Sequence, residues 1–166
     1  MLKKRAVGVS ACLLGCPVRY NGASRLFPWV SGGLANFAVK PVCPEFECGL
    51  SVPHPALRLE NSPHNPKLVC THSKEDLTEQ MRLWAERRLA LFKDNAIVGF
   101  IFKSNSPSCG LSSAEVFDHA GKAIGKTSGL WATLFQKAFP DLPMADENEL
   151  SDHQARIKFL KTLLGK

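Results

Sequence analysis

The stretch Ile97-Val-Gly-Phe-Ile-Phe-Lys-Ser-Asn-Ser-Pro-Ser-Cys-Gly110 decides how the chain is read. Residues 97–102 are an apolar run of β-formers. Ser104 to Ser108 then break it with turn residues, and the segment ends on a single thiol, Cys109, against a glycine. A continuous apolar run closed by Gly, Pro and Ser predicts a strand buried on both faces, as parallel strands usually are. A cysteine that only fills a core does not need such a turn around it.

The same plan occurs twice more. Residues 5–15 (RAVGVSACLLG) carry a short apolar run that stops at Ser10 and is followed by Cys12. Residues 36–45 (NFAVKPVCPE) carry another, followed by Cys43 and Pro44. Between and after these strands lie helical patterns at 73–94, 128–139 and 152–165. The first has apolar positions at Leu77, Met81, Trp84 and Leu91, an acidic start and basic later turns that suit the helix dipole. Pro140 stops the second. Residues 49–72, rich in Pro, His and Asn, read as a long loop or short irregular strands, a kind of segment that often serves function.

Strands alternating with helices predict an α/β fold: one compact domain over residues 1–166, with a mainly parallel sheet flanked by helices in Rossmann-like layers. In such sheets ligands bind beyond the carboxyl ends of the strands. Cys12, Cys43 and Cys109 each stand just past a strand end. If the strands are parallel neighbours, the three thiols converge on one crevice.

Composition narrows the function. The formal charge is +6, but apart from KKR at 3–5 and ERR at 86–88 the basic residues are scattered, so no nucleic-acid-binding arm and no stable nucleic-acid complex are expected. The LLGC at 13–16 resembles a lipobox, yet the apolar run before it is too short for a signal, and no run is long enough to span a membrane. The chain therefore reads as cytoplasmic. There, its six cysteines are metal ligands or reactive thiols rather than disulfides.

Three thiolates favour soft metals: zinc, copper(I) or an iron–sulfur cluster. The absence of a C-x-x-C pair argues against a zinc ribbon. A [4Fe–4S] cluster held by three cysteines keeps one iron open for substrate. Cys70 reads as core. Cys16 and Cys48 read as structural, but each is near enough in sequence to compete for a ligand role. Glu45, two residues after Cys43, is a candidate general base or acid. Ser106 is a candidate proton relay and Ser108 a candidate substrate contact. The five histidines form no spaced ligand pair, and no nucleophile elbow supports a Ser/His/Asp triad.

Three motifs in order, VSACLLGCPVRYNG (9–22), PVCPEFECGL (41–50) and FKSNSPSCG (102–110), closely resemble the TudS-like thiouracil desulfidase family, and FPDLPMADENEL (139–150) resembles its C-terminal portion. The resemblance covers most of the chain. It implies an α/β enzyme that replaces C=S by C=O in thiolated uracils at a [4Fe–4S] cluster. It places the cluster on Cys12, Cys43 and Cys109, with the fourth iron free for the substrate sulfur, and maps the important carboxylate and hydroxyl to Glu45 and Ser106. The implied partner is a small-molecule thiolated pyrimidine: 2-thiouracil, 4-thiouracil, or a nucleoside or nucleotide of either. Two positions depart from the pattern: His54 stands where arginine is expected in GLxxPR, and Asn21 where Asp is frequent in RYDG. A metal- or redox-sensing binding module and a cluster-free thiol or persulfide enzyme are the alternatives.

Overall fold

The computed structural model describes residues 4–165, so Lys3 of the basic triplet lies outside the described residues. Strands β1 (Ala6–Ser10), β2 (Ala38–Val42), β5 (Ile97–Phe102) and β8 (Met144–Asp146) form a four-stranded sheet in the order β2-β1-β5-β8, every pair parallel. From β1 the chain adds β2 on one side and later β5 on the other. That reversal makes a switch point beyond the carboxyl ends of β1 and β5. A second sheet, order β4-β3-β6-β7, contains β3 (Leu57–Glu60), β4 (Lys67–Cys70), β6 (Ala114–Phe117) and β7 (Ala123–Thr127). It is mixed: β3 pairs antiparallel with β4 and parallel with β6, and β6 pairs antiparallel with β7.

Alternation along the strands divides the core into two layers. Val7 and Val9 of β1 and Ile101 of β5 face one side, against Val30 of α1 (Trp29–Gly33) and Phe159 and Leu163 of α5 (His153–Leu163). Phe100 and Phe102 face the other. There they meet Met81, Trp84 and Phe92 of α3 (Thr78–Asp94), Trp131 and Phe135 of α4 (Leu130–Ala138), and Leu59, Leu68 and Val116 of the second sheet. Phe100 stacks on Phe102 at 4.3 Å and lies 5.0 Å from the Phe135 ring. Gly8 makes this possible: a Cβ there would stand 2.3 Å from the Phe100 ring.

Several expectations need correction. Of the two forms expected for residues 49–72, the short strands are present: β3 and β4 pair as a hairpin in the second sheet, with loop around them. Helix α3 starts at Thr78, not at 73. Residues before it turn back onto β4, with Asp76 bridged to Val69 and the Leu77 N–H donating to the Leu68 carbonyl. Leu91 is exposed, and Phe92 takes the core position. The helices predicted at 128–139 and 152–165 are trimmed to α4 and α5, the latter capped by Asp152, which accepts from the Ala155 N–H. β1 is buried throughout and β5 nearly so, but β2 is an edge strand with exposed residues, which is why it tolerates Pro41.

Two contacts fix the carboxyl edge of the parallel sheet. The loop after β5 offers its carbonyls to the start of α4: Gly129 N–H to Gly110, Leu130 N–H to Pro107 and Ala132 N–H to Ser108, at 2.7, 3.0 and 3.1 Å. These are the N–H groups that a helix cannot satisfy internally. On the far side, Glu147 accepts from the Lys103 ammonium, the Ser104 hydroxyl and the Ser104 N–H, which ties the end of β5 to the end of β8. Burial pushes the Glu147 carboxyl up, but the hydrogen bonds from Lys103 and Ser104 outweigh it and hold the group below its ordinary value.

Gly129→Ala is expected to destabilise the fold by about 1–3 kcal/mol, because its Cβ would meet the Ser108 carbonyl group at 2.5 Å. Urea unfolding reads this, and an unchanged midpoint would contradict the docking. A depressed carboxylate stabilises above its unfolded pKa, and that stability is lost as pH falls through the folded value. Glu147→Gln should therefore cost about 1–3 kcal/mol at pH 7. The gap to the wild type should close as pH drops below the ordinary value of 4.5; a gap independent of pH would rule out the ionised pair as its source.

Candidate active site

A pocket of about 560 Å³ opens at the carboxyl edge of the parallel sheet, and its wall includes Cys12, Cys43 and Cys109. The three strands they follow, β1, β2 and β5, are neighbours, and so the thiols meet. Cys12 rides on a 3-10 turn, Ala11–Leu14, whose Cys12 carbonyl accepts from the Arg25 N–H at 2.9 Å. Cys43 is the N-cap of a short helix, α2 (Pro44–Glu47), with Pro44 in its first turn. The Cys43 N–H donates to the Glu47 carboxylate at 3.0 Å. Cys109 closes the loop docked on α4.

Burial raises all three thiols. Cys12 is pushed up to about 11, against the opposing pull of Lys103 and Arg19. Cys43 is pushed up to about 12, with Glu45 and Cys12 adding to the effect. Cys109 is raised further by burial and by Cys12 and Cys43, although the Ser10 hydroxyl opposes this. Each thiol lies in the field of another, which is the electrostatic mark of their convergence.

The other cysteines stay outside the pocket wall. Cys48 donates from Sγ to the Glu45 carbonyl at 3.3 Å and packs against the α3–α4 side of the core. Cys70 is buried at the end of β4. Cys16 is absent from the lining. The pocket thus offers three sulfur donors and no fourth cysteine. Among the described residues, no three His, Cys, Asp or Glu side chains group around a single ion position. A cluster makes a different demand, since each thiolate takes a separate iron.

The remaining expected residues gather beside the thiols. Ser106 Oγ accepts from the Ser108 N–H at 3.2 Å and the Cys109 N–H at 2.9 Å. With both lone pairs engaged, its own proton points to Ser108 Oγ, 3.0 Å away. Ser108 Oγ in turn donates to Glu45 Oε1 at 3.1 Å. The result is a directed chain, Ser106 to Ser108 to Glu45, linking the β5 loop to α2. Ser108 is almost wholly buried and is the middle link. Asn21 is an exposed turn residue whose side chain accepts from the Ala23 N–H.

Sequence reasoning passed over one part of this site and gave another, His54, no role in it. Lys103 and Glu147 line the pocket as an ion pair, and Lys103 acts on Cys12. Glu147 directly follows β8, so the strand-end rule that picked out the cysteines would have found it had that three-residue strand been legible. His54 stands 3.1 Å from Glu45 Oε2. The sequence marked it only as a departure from the GLxxPR pattern, and its isolation in the Pro-rich segment suggested no partner.

The chain is similar to known proteins in sequence and in fold. An uncharacterized protein of Bacillus subtilis (strain 168), YbbK, is 32% identical over 149 residues, covering 87% of this chain and 97% of the relative. The solved structure of a [4Fe-4S]-dependent thiouracil desulfidase, TudS, superposes with a TM-score of 0.71 at 28% identity, covering 93% of this chain and 99% of that one. Residues 7–147 match the 2-thiouracil desulfurase family, and the chain belongs to that family.

Proposed function

We propose that the chain is a desulfidase that converts a thiolated uracil to uracil, with a [4Fe–4S] cluster held by Cys12, Cys43 and Cys109. The observation that carries this reading is the convergence of three thiols, and no fourth cysteine, on one pocket. The pocket is of small-molecule size. The family and the likeness to TudS support the same chemistry. The donor set fits: sulfur ligands suit iron–sulfur centres, and the positive charge of bound iron would offset the burial that keeps these thiols protonated.

When bound, the cluster supplies a Lewis-acidic iron for the thiocarbonyl sulfur. The remaining work falls to the chain. Overall, the thiouracil and one water give uracil and sulfide, with no net redox change of the base. Glu45 takes a proton from the attacking water. Ser106 and Ser108, donating in that order towards Glu45 Oε1, hold the carboxylate in place for this, and the protons of the water leave with the sulfide. Lys103 and Arg19 lie close enough to favour the thiolate at Cys12. A cluster-free thiol enzyme needs a depressed thiol pKa, and the burial of all three thiols works against it.

The test is anaerobic reconstitution followed by assay on 2-thiouracil, 4-thiouracil and their nucleosides and nucleotides. About four irons per chain, with broad absorbance near ~400 nm, are expected. Cys12→Ser, Cys43→Ser and Cys109→Ser should each lose that iron, whereas Cys16→Ser and Cys48→Ser keep it. Iron retained in one of the first three, or lost in Cys48→Ser, would reassign the ligands. Binding of iron without turnover of any thiouracil would favour a sensor. Glu45→Gln and Ser106→Ala should each lower turnover by about a hundred-fold or more at unchanged iron content; full rates in both would remove them from the chemistry.

A further inference from the structure

His54 follows α2 on the way to β3 and sits behind the site, not in the pocket wall. Its N–H donates to the Tyr20 carbonyl at 2.8 Å, which joins its segment to the loop before α1. The ring is held as well: Nδ1 lies 2.7 Å from the Pro55 carbonyl oxygen. A carbonyl only accepts, so Nδ1 carries a proton. The opposite nitrogen, Nε2, is buried and has no in-line hydrogen-bond partner among the described residues. The group it faces is the Glu45 carboxylate, with Oε2 at 3.1 Å, and the two side chains are only 6% and 12% exposed. Two bare acceptors at that separation would repel, so a proton lies between them.

We propose that His54 is the positioning residue for Glu45: its Nε2 side pins Oε2 and leaves Oε1 to the Ser108 and Ser106 hydroxyls. This rests on the role given to Glu45 above. Both carboxylate oxygens are then engaged, one by an imidazole and one by a hydroxyl, and the carboxylate plane is set before substrate arrives. The groups facing His54 are Glu45 from α2, the Tyr20 ring at 6.4 Å and Cys70 from β4. The close contact with Glu45 is the largest influence on the ring and raises its pKa, against the effect of burial. The imidazole thus holds the carboxylate from the side of α2 opposite the two hydroxyls.

The activity arm compares His54→Ala and His54→Arg in the reconstituted enzyme. Alanine is expected to lower kcat by about ten- to a hundred-fold with KM changed less than about two-fold. Arginine should restore most of kcat, and alanine should add no further loss in the Glu45→Gln background. Unchanged kcat in His54→Ala, or equal impairment of the alanine and arginine variants, would overturn the proposal. A second arm needs no turnover: histidine magnetic resonance of the full chain across pH. The His54 ring should charge at higher pH in the wild type than in Glu45→Gln; coincident curves would overturn the pairing. If the wild type desulfidates nothing, the proposed activity fails, and the resonance comparison alone decides whether His54 holds Glu45.

Discussion

The carbonyls of Pro107, Ser108 and Gly110 accept from the first N–H groups of α4, and the site depends on this docking. A helix start has N–H groups with no internal partner, and a loop that has just left a buried strand has carbonyls in the same position. Each satisfies the other. With the carbonyls turned to α4, the Ser108 and Cys109 N–H groups point the opposite way, onto Ser106 Oγ. That fills the acceptor sites of the hydroxyl and sends its proton towards Ser108. A backbone interaction on one side of the loop therefore sets the direction of the hydroxyl chain on the other.

The parallel sheet supplies the rest of the geometry. Because β2, β1 and β5 are adjacent and point the same way, residues that leave their ends share one edge. Ionising three thiols there costs free energy, since burial and their mutual field disfavour thiolates. Lys103 and Arg19 offset part of that cost at Cys12. Lys103 is in turn held by Glu147 from the end of β8, so all four strands of the sheet contribute to one site.

What could be read from the chain followed the strength of local signals. β1 and β5 were legible because both are short apolar runs closed by turn residues, and α4 because Pro140 ends its pattern. The hairpin of β3 and β4 was legible only as one of two readings, because polar and Pro-rich surroundings dilute a signal only four residues long per strand. Leu91 fits a helical stripe as well as Phe92 does; which of them is buried depends on the angle at which α3 lies on the sheet, and periodicity does not set that angle. Cys48 stands only five residues after Cys43, but its sulfur donates to the Glu45 carbonyl and packs on the core, a difference that spacing along the chain does not encode.

By itself the sequence determined that Cys12, Cys43 and Cys109 leave strand ends in turn-forming company, because those preferences act within a few residues. Only the tertiary structure decided that the strands are neighbours, that Cys16, Cys48 and Cys70 lie off the pocket wall, and that His54 meets Glu45. Each of these joins groups that are distant along the chain or held apart by a turn. Such contacts come from how sheets and helices pack, and no local pattern encodes them.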